Sequence, residues 1–214
     1  MKRATVFCLL VLVLLPALAQ AWQANAGWSQ SDVGLQNKGD GFYLGVGNGI
    51  PLKSRLFDAS YSLDYVQKKG SQLTQFADPV AGFSTEDAKV TLHVIQPSLS
   101  FGIAPAEIPL HPRLYIGAGL GLKLKEEWSD FPGQPDQEYG YKDTDISGHV
   151  GLSVGMSSFV LDARWTKSLS GQLLVDNQNI SVTPGKADDP LVGVAQPEEG
   201  FKTETWQLGL GVKF

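Results

Sequence analysis

Residues 203–214 read TETWQLGLGVKF. At period two they place Trp206, Leu208, Leu210, Val212 and Phe214 on one face and Thr205, Gln207, Gly209, Gly211 and Lys213 on the other. One side is apolar without exception and the other small or polar, which is the pattern of a strand with one face in an apolar medium. The eight steps from Trp206 to Phe214 amount to roughly 27 Å of strand at about 3.4 Å each. At a tilt near 40° that is about 20 Å along a barrel axis. The run nearly spans the roughly 25 Å apolar band of a membrane barrel, with an aromatic at each edge. It predicts a last transmembrane strand closed by an aromatic carboxy-terminal residue.

The other end carries an export signal. Lys2 and Arg3 precede an apolar run over residues 4–18, and Ala19-Gln20-Ala21 supplies a small-x-small cleavage site. The spacing predicts a signal peptide over 1–21, with a second cleavage site at Ala24-Asn25-Ala26. The only cysteine, Cys8, lies within it, so stability must come from packing or sheet closure, not disulfides. Removing the signal leaves 15 Lys+Arg against 22 Asp+Glu, and no cluster of positive charge suited to nucleic acid. No later run approaches the roughly 20 apolar residues of a helical span. Membrane crossing would therefore fall to strands.

Alternation recurs along the chain. Residues 41–52 set Phe42, Leu44, Val46, Ile50 and Leu52 against Tyr43, Gly45, Gly47 and Gly49, with Asn48 the polar intruder on the apolar side. Residues 57–66, 89–103, 113–125, 145–156 and 159–168 read likewise. In 89–103 the apolar phase switches from Val90, Leu92 and Val94 to Pro97, Leu99, Phe101 and Ile103, which predicts a β-bulge near Ile95-Gln96. Residues 67–87, 126–144 and 170–202 read as long loops, with further strand allowed over 173–182. These are seven strands, whereas single-chain bacterial barrels have even counts with short turns at one end and long loops at the other. Parity predicts an eighth, assigned to 31–38. The expected organisation is signal 1–21, an amino-terminal segment 22–40 with the first strand, and a barrel over 41–214.

Alternation alone does not separate a membrane barrel from a soluble one, whose apolar face points inward. The polar face decides. It is dominated by Gly and Ser, which suits a crowded interior, and the opposite face carries no charge, which suits lipid. The fold class is therefore all-β, an eight-stranded antiparallel transmembrane β-barrel of up-and-down meander topology.

The runs GFYLGVGNGIPL, SLDYVQKKG, RLYIGAGLGLKL, GHVGLSVGMSSFVLDARWTKSLSG and TWQLGLGVKF together resemble the small porin-like outer-membrane β-barrel family of Gram-negative bacteria. The resemblance covers about residues 41–214. It implies an outer-membrane location, outer-membrane lipid and lipopolysaccharide as surroundings, and recognition of Phe214, with Trp206, by the barrel-assembly machinery. It implies no shared activity and no cofactor.

Asp58, Asp64, Arg113, Lys123, His149, Asp162, Arg164 and Lys213 fall on the polar face. They form either a pore lining that selects solutes by charge or a mutually paired plug, and the plug is favoured because eight strands enclose only enough room for side chains. The glycines on that face argue for a narrow channel. His149 with Ser147, Ser153 and Asp145 invites comparison with lipid A deacylases, but Asp145 lies roughly 13 Å along the strand from His149, too far for the orienting bond of a triad. His93 and His111 stand apart, and no metal spacing links the three. Glu126, Glu127, Asp130, Asp136 and Glu138 offer divalent-cation bridging to lipopolysaccharide phosphates, or simple solvation, which is favoured. Trp128, Trp165, Trp206, Tyr61 and Tyr65 read as interface aromatics. The expected function is a non-enzymatic outer-membrane barrel with a structural or surface-contact role through its outer loops. The alternatives are a narrow passive channel and, behind it, a lipid A-modifying hydrolase.

Overall fold

The computed structural model describes residues 22–50, 52, 54, 56–78, 82–105, 110–129, 139–170, 173–175 and 202–214. Its strands are β1 (Trp22–Asp32), β2 (Asn37–Ile50), β3 (Phe57–Asp78), β4 (Gly82–Ile103), β5 (Pro112–Ser129), β6 (Tyr139–Tyr141), β7 (Thr144–Met156), β8 (Phe159–Ser168), β9 (Leu173–Val175) and β10 (Glu204–Lys213). Eight of them close into a barrel in the order β1-β10-β8-β7-β5-β4-β3-β2, and β6 pairs with β9 outside it. Every barrel pairing is antiparallel, and apart from the β1–β10 seam each joins consecutive barrel strands, β6 and β9 being passed over. Closure leaves no free sheet edge. At the seam, Trp22 and Phe214 exchange backbone hydrogen bonds of 3.0 and 2.9 Å.

The faces sort as their residue types require. Leu44, Val46, Leu99, Ile116, Leu120, Leu152, Leu161, Leu208 and Leu210 point outward and are exposed. Toward the end with the short β2–β3, β4–β5 and β7–β8 connections this belt is bordered by Phe57, Phe101, Phe159 and Phe214. Toward the other end it is bordered by Trp28, Phe42, Tyr65, Trp165 and Trp206, with Trp165 and Trp206 direct cross-strand partners whose rings are 6.3 Å apart. Asn48 is the outward polar residue, and it is buried because its partners on either side, Trp22 and Tyr61, meet edge to face above it at 6.4 Å.

Three expectations need correction. The first strand is Trp22–Asp32 and not 31–38; residues 33–36 are the turn into β2, where Gly34 takes φ 85° and Val33 folds into the barrel mouth, wholly buried. Gly70 on β3 lies against Val33, where a Cβ would overlap it.

The phase switch in β4 is not a bulge at Ile95-Gln96, because β3 and β4 pair without interruption from Phe57↔Ile103 to Asp78↔Gly82. Val90, Leu92 and Val94 stay on the inward face with Gln96, Ser98 and Ser100, and it is the interior that changes from polar to apolar. The register shift sits across the β4–β5 pairing, where His93 meets Lys125 but Val94 meets Lys123, so Leu124 is the extra residue.

The same uninterrupted pairing makes most of 67–87 a strand hairpin instead of a loop. A ribbon that prolongs two strands already in register adds ladder hydrogen bonds at each step, and it needs no apolar face to do so.

Candidate functional site in the barrel interior

The interior is stacked in layers, each set by which strands face one another. Near the short-turn end, Arg113 on β5 donates through Nε to both carboxylate oxygens of Asp58 on β3, at 2.7 and 2.9 Å, and through Nη2 to Ser60 at 2.9 Å. At mid-depth Arg164 on β8 reaches across to Asp64 on β3 at 2.7 Å and donates to Tyr115 Oη at 3.2 Å, while Tyr115 donates to Asp162 at 2.7 Å. Above it His149 Nε2 and Ser100 Oγ are 2.8 Å apart, and Gln96 donates to Ser147 at 3.1 Å. Next, Lys68 lies 4.0 Å from Asp145 and donates to Thr203 at 3.2 Å, while Asp145 accepts from Ser168 at 2.5 Å and Ser170 at 3.0 Å. An apolar cap of Val33, Val90, Leu92, Val94 and Tyr141 closes the far end, with Tyr141 Oη donating to the Val33 carbonyl at 2.5 Å.

The glycines serve this filling. Most are not open space, Gly49 at the short-turn end being the exception. A Cβ at Gly209 would overlap Tyr43, one at Gly151 would overlap the Tyr115 ring, and one at Gly117 would overlap the His149 ring. Tyr115 and Gly151 are direct cross-strand partners, as are Gly117 and His149. Each large inward side chain thus lies down over a neighbour that has none.

The residues singled out in sequence divide accordingly. Asp58 joins Arg113, and Asp64 and Asp162 converge on Arg164, with Tyr115 bridging Arg164 and Asp162. His149 packs on the same Tyr115 at 6.1 Å. Lys123 and Lys213 do not join them. Lys123 sits at the capped end, 2.8 Å from Glu126 and 3.4 Å from Asp143, and also donates to the Tyr141 carbonyl. Lys213 is exposed at the short-turn end.

Tyr43, Tyr115, Lys68, Gln96 and Ser100 are interior residues that the sequence reading did not single out. Tyr115 had a signal, being the lone aromatic on a face otherwise of Gly, Lys and Arg. The hydrolase constellation does not assemble: Ser147 bonds Gln96, Asp145 bonds Ser168, and His149 Nδ1 has no hydrogen-bond partner among the described residues. Of the acidic loop residues, Glu126 and Glu127 pair with Lys123 and Lys125, Asp130, Asp136 and Glu138 lie outside the described residues, and no group of potential metal ligands occurs among the described residues.

Beyond the apolar belt, burial lowers the Lys68 ammonium pKa, and the neighbouring Asp145 charge partly offsets it. Burial raises the Tyr141 phenol, with Glu126 adding to the effect. Hydrogen bonds from Lys167 and Lys125 hold Glu204 and Glu127 below the usual carboxylate range.

One cavity of about 500 Å³ opens at the short-turn end, lined by Asn25, Asp58, His111, Arg113 and Lys213, and reaching Tyr115, Asp162 and Arg164. It is a vestibule, with the His149, Lys68 and apolar layers stacked beyond it.

Taken together, these features define a closed eight-stranded antiparallel barrel with an apolar exterior and a side-chain-filled polar interior. No protein-family model matches the chain, and no curated protein matches it. Among solved structures it is similar to the crystal structure of Neisserial surface protein A (NspA), at 18% identity and a TM-score of 0.48, covering 91% of this chain and 96% of that one.

Proposed function

We propose that this chain is an integral outer-membrane β-barrel with a closed interior, acting in the cell envelope as a structural or surface-contact protein through the loops at its capped end. The observation that carries the reading is the inversion of the usual soluble arrangement: aliphatic side chains form the exposed belt, aromatics border it at both ends, and the Arg113–Asp58 and Arg164–Asp64 ion pairs lie inside. In water such a belt would drive association. In a bilayer it is the expected exterior.

In this reading Trp206 and Phe214 serve as the assembly signal on β10, the strand that closes the barrel against β1. A narrow passive channel is the second reading, and the vestibule at the short-turn end is the observation in its favour. The two separate in a planar bilayer, with heat-modifiable gel mobility as the check that the barrel has formed. A folded but silent barrel is expected. Discrete openings that respond to charge reversal at Asp58 or Arg164 would favour the channel.

A further inference from the structure

Just beyond the aromatic border at the capped end, the outward face of β3, β4 and β5 carries an unbalanced positive charge. Lys69 on β3 is the direct partner of Thr91 on β4, Lys89 is two residues further along the same face of β4, and Lys125 on β5 is the partner of His93. Strand spacings put the three ammonium-bearing positions within roughly 15 Å of one another along the backbone. Two acidic positions share this face, Glu127, engaged by Lys125 and 3.7 Å from His93, and Asp87, two residues beyond Lys89 on β4, so that three lysines face two acids. Among the described residues, Lys69 and Lys89 have no ion-pair partner.

Elsewhere on that rim the strand lysines are matched: Lys38 with Asp32 at 4.0 Å and Lys167 with Glu204 at 2.6 Å. In a chain with 22 acidic and 17 basic residues, a local excess of lysine is out of character with the whole.

An apolar cleft of about 570 Å³ adjoins this patch. Its floor is Ala24 and Ala26 on β1, and its walls are Val46 and Leu44 on one side and Val212 and Leu210 on the other, which are the direct partners of those alanines. The cleft extends to Tyr65 and Ile95. Tyr65 bonds His93 Nδ1 at 2.5 Å, Ile95 is two residues from His93 on one face, and His93 is the partner of Lys125, so the cleft reaches the Lys125 end of the patch.

We propose that patch and cleft together form a site for a phosphate-bearing acylated lipid of the leaflet at the capped end, with its phosphate on Lys69, Lys89 and Lys125 and an acyl chain in the cleft over Ala24 and Ala26. The proposal rests on the membrane reading above. Phosphate supplies the charge that the patch lacks, and it sits at the depth where headgroups begin, just past the aromatic border. The acyl chain follows the apolar path inward from there.

The test is lipid binding to the refolded full chain in zwitterionic micelles, read by native mass spectrometry with bis-phosphorylated lipid A, its dephosphorylated form, and inorganic phosphate alone. Phosphorylated lipid A is expected to bind in preference to the other two. Combined Lys69→Gln, Lys89→Gln and Lys125→Gln substitution is expected to weaken it on the order of a hundredfold, about fivefold per lysine. Lys167→Gln, which touches a matched pair, is expected to change nothing. Ala24→Leu with Ala26→Leu, which fills the cleft, is expected to weaken both lipids and preserve the preference for phosphate. Equal binding of both lipids, or equal binding of free phosphate, by a barrel that shows heat-modifiable mobility and inserts into vesicles would overturn the site and leave the membrane reading standing. A chain that fails to insert would overturn both.

Discussion

Arg164→Ala is expected to destabilise the barrel by about 3–5 kcal/mol, the cost of leaving a buried charge without its partner. The guanidinium is the hub of the mid-depth layer, bonded to Asp64 at 2.7 Å and to Tyr115 at 3.2 Å, and 4.0 Å from Asp162. Asp64 is 1% exposed and Asp162 7%, so neither carboxylate can recover its solvation in place. Arg164→Lys is expected to recover only part of the loss, because an ammonium cannot hold Asp64 and Tyr115 with a planar fork. Arg164→Met combined with Asp64→Asn is expected to recover more, since it removes charge from both sides of the pair. Reversible urea unfolding of the refolded barrel measures all three. A loss below about 1 kcal/mol in Arg164→Ala, the size of an exposed ion pair, would mean that water from the vestibule solvates this layer and that Arg164 is not part of the closed interior.

Leu210→Arg is expected to cost about 2–4 kcal/mol in a bilayer, the depth-dependent penalty for arginine at the midplane of a membrane barrel. Leu210 is 62% exposed and lies midway between Trp206 and Phe214, with Ala26 and Leu161 as its cross-strand partners. On a soluble protein a leucine that exposed tolerates arginine within about 0.5 kcal/mol, so the two environments give different answers from one substitution. The same replacement at Trp206, on the aromatic border, is expected to cost about 0–1 kcal/mol from charge, besides whatever the Trp165 contact supplies. Urea titration of refolding into lipid vesicles reads both.

The barrel was legible in sequence because alternation on one strand reports directly on two environments. Residues 113–122 carry Leu114, Ile116, Ala118, Leu120 and Leu122 outward and Arg113, Tyr115, Gly117, Gly119 and Gly121 inward, and the β5–β7 register keeps that order. The first strand was misplaced for a physical reason: Trp22–Asp32 has Ala24, Ala26 and Trp28 outward, and two alanines make a faint stripe beside the leucines of other strands. Val33 and Leu35, which look like strand residues, instead belong to the turn and its apolar cap. The same cap explains Val90, Leu92 and Val94, since a rule that assigns every apolar residue to the lipid side has no place for an apolar interior.

Of the interior site, the charged members could be read from the face they occupy, but their partners could not. Arg164 and Asp64 are 100 positions apart and stand on opposite walls, so their pairing follows from barrel closure and strand stagger, which no local pattern encodes. The glycines point the same way. Read singly they suggest space, whereas in register Gly151 lies beneath Tyr115 and Gly117 beneath His149.

Spin-label accessibility along β10 separates a lipid-facing belt from a water-facing one. Single cysteines replacing Gln207, Leu208, Leu210 and Val212, in a background lacking Cys8, are labelled after refolding into vesicles and exposed to oxygen or to a water-soluble nickel chelate. High oxygen and low nickel collision rates at the three apolar positions, with Gln207 shielded from both, are expected for an apolar exterior in the bilayer around a closed interior. Nickel access at Leu208, Leu210 and Val212 would contradict the membrane reading, and nickel access at Gln207 alone would contradict the closed interior.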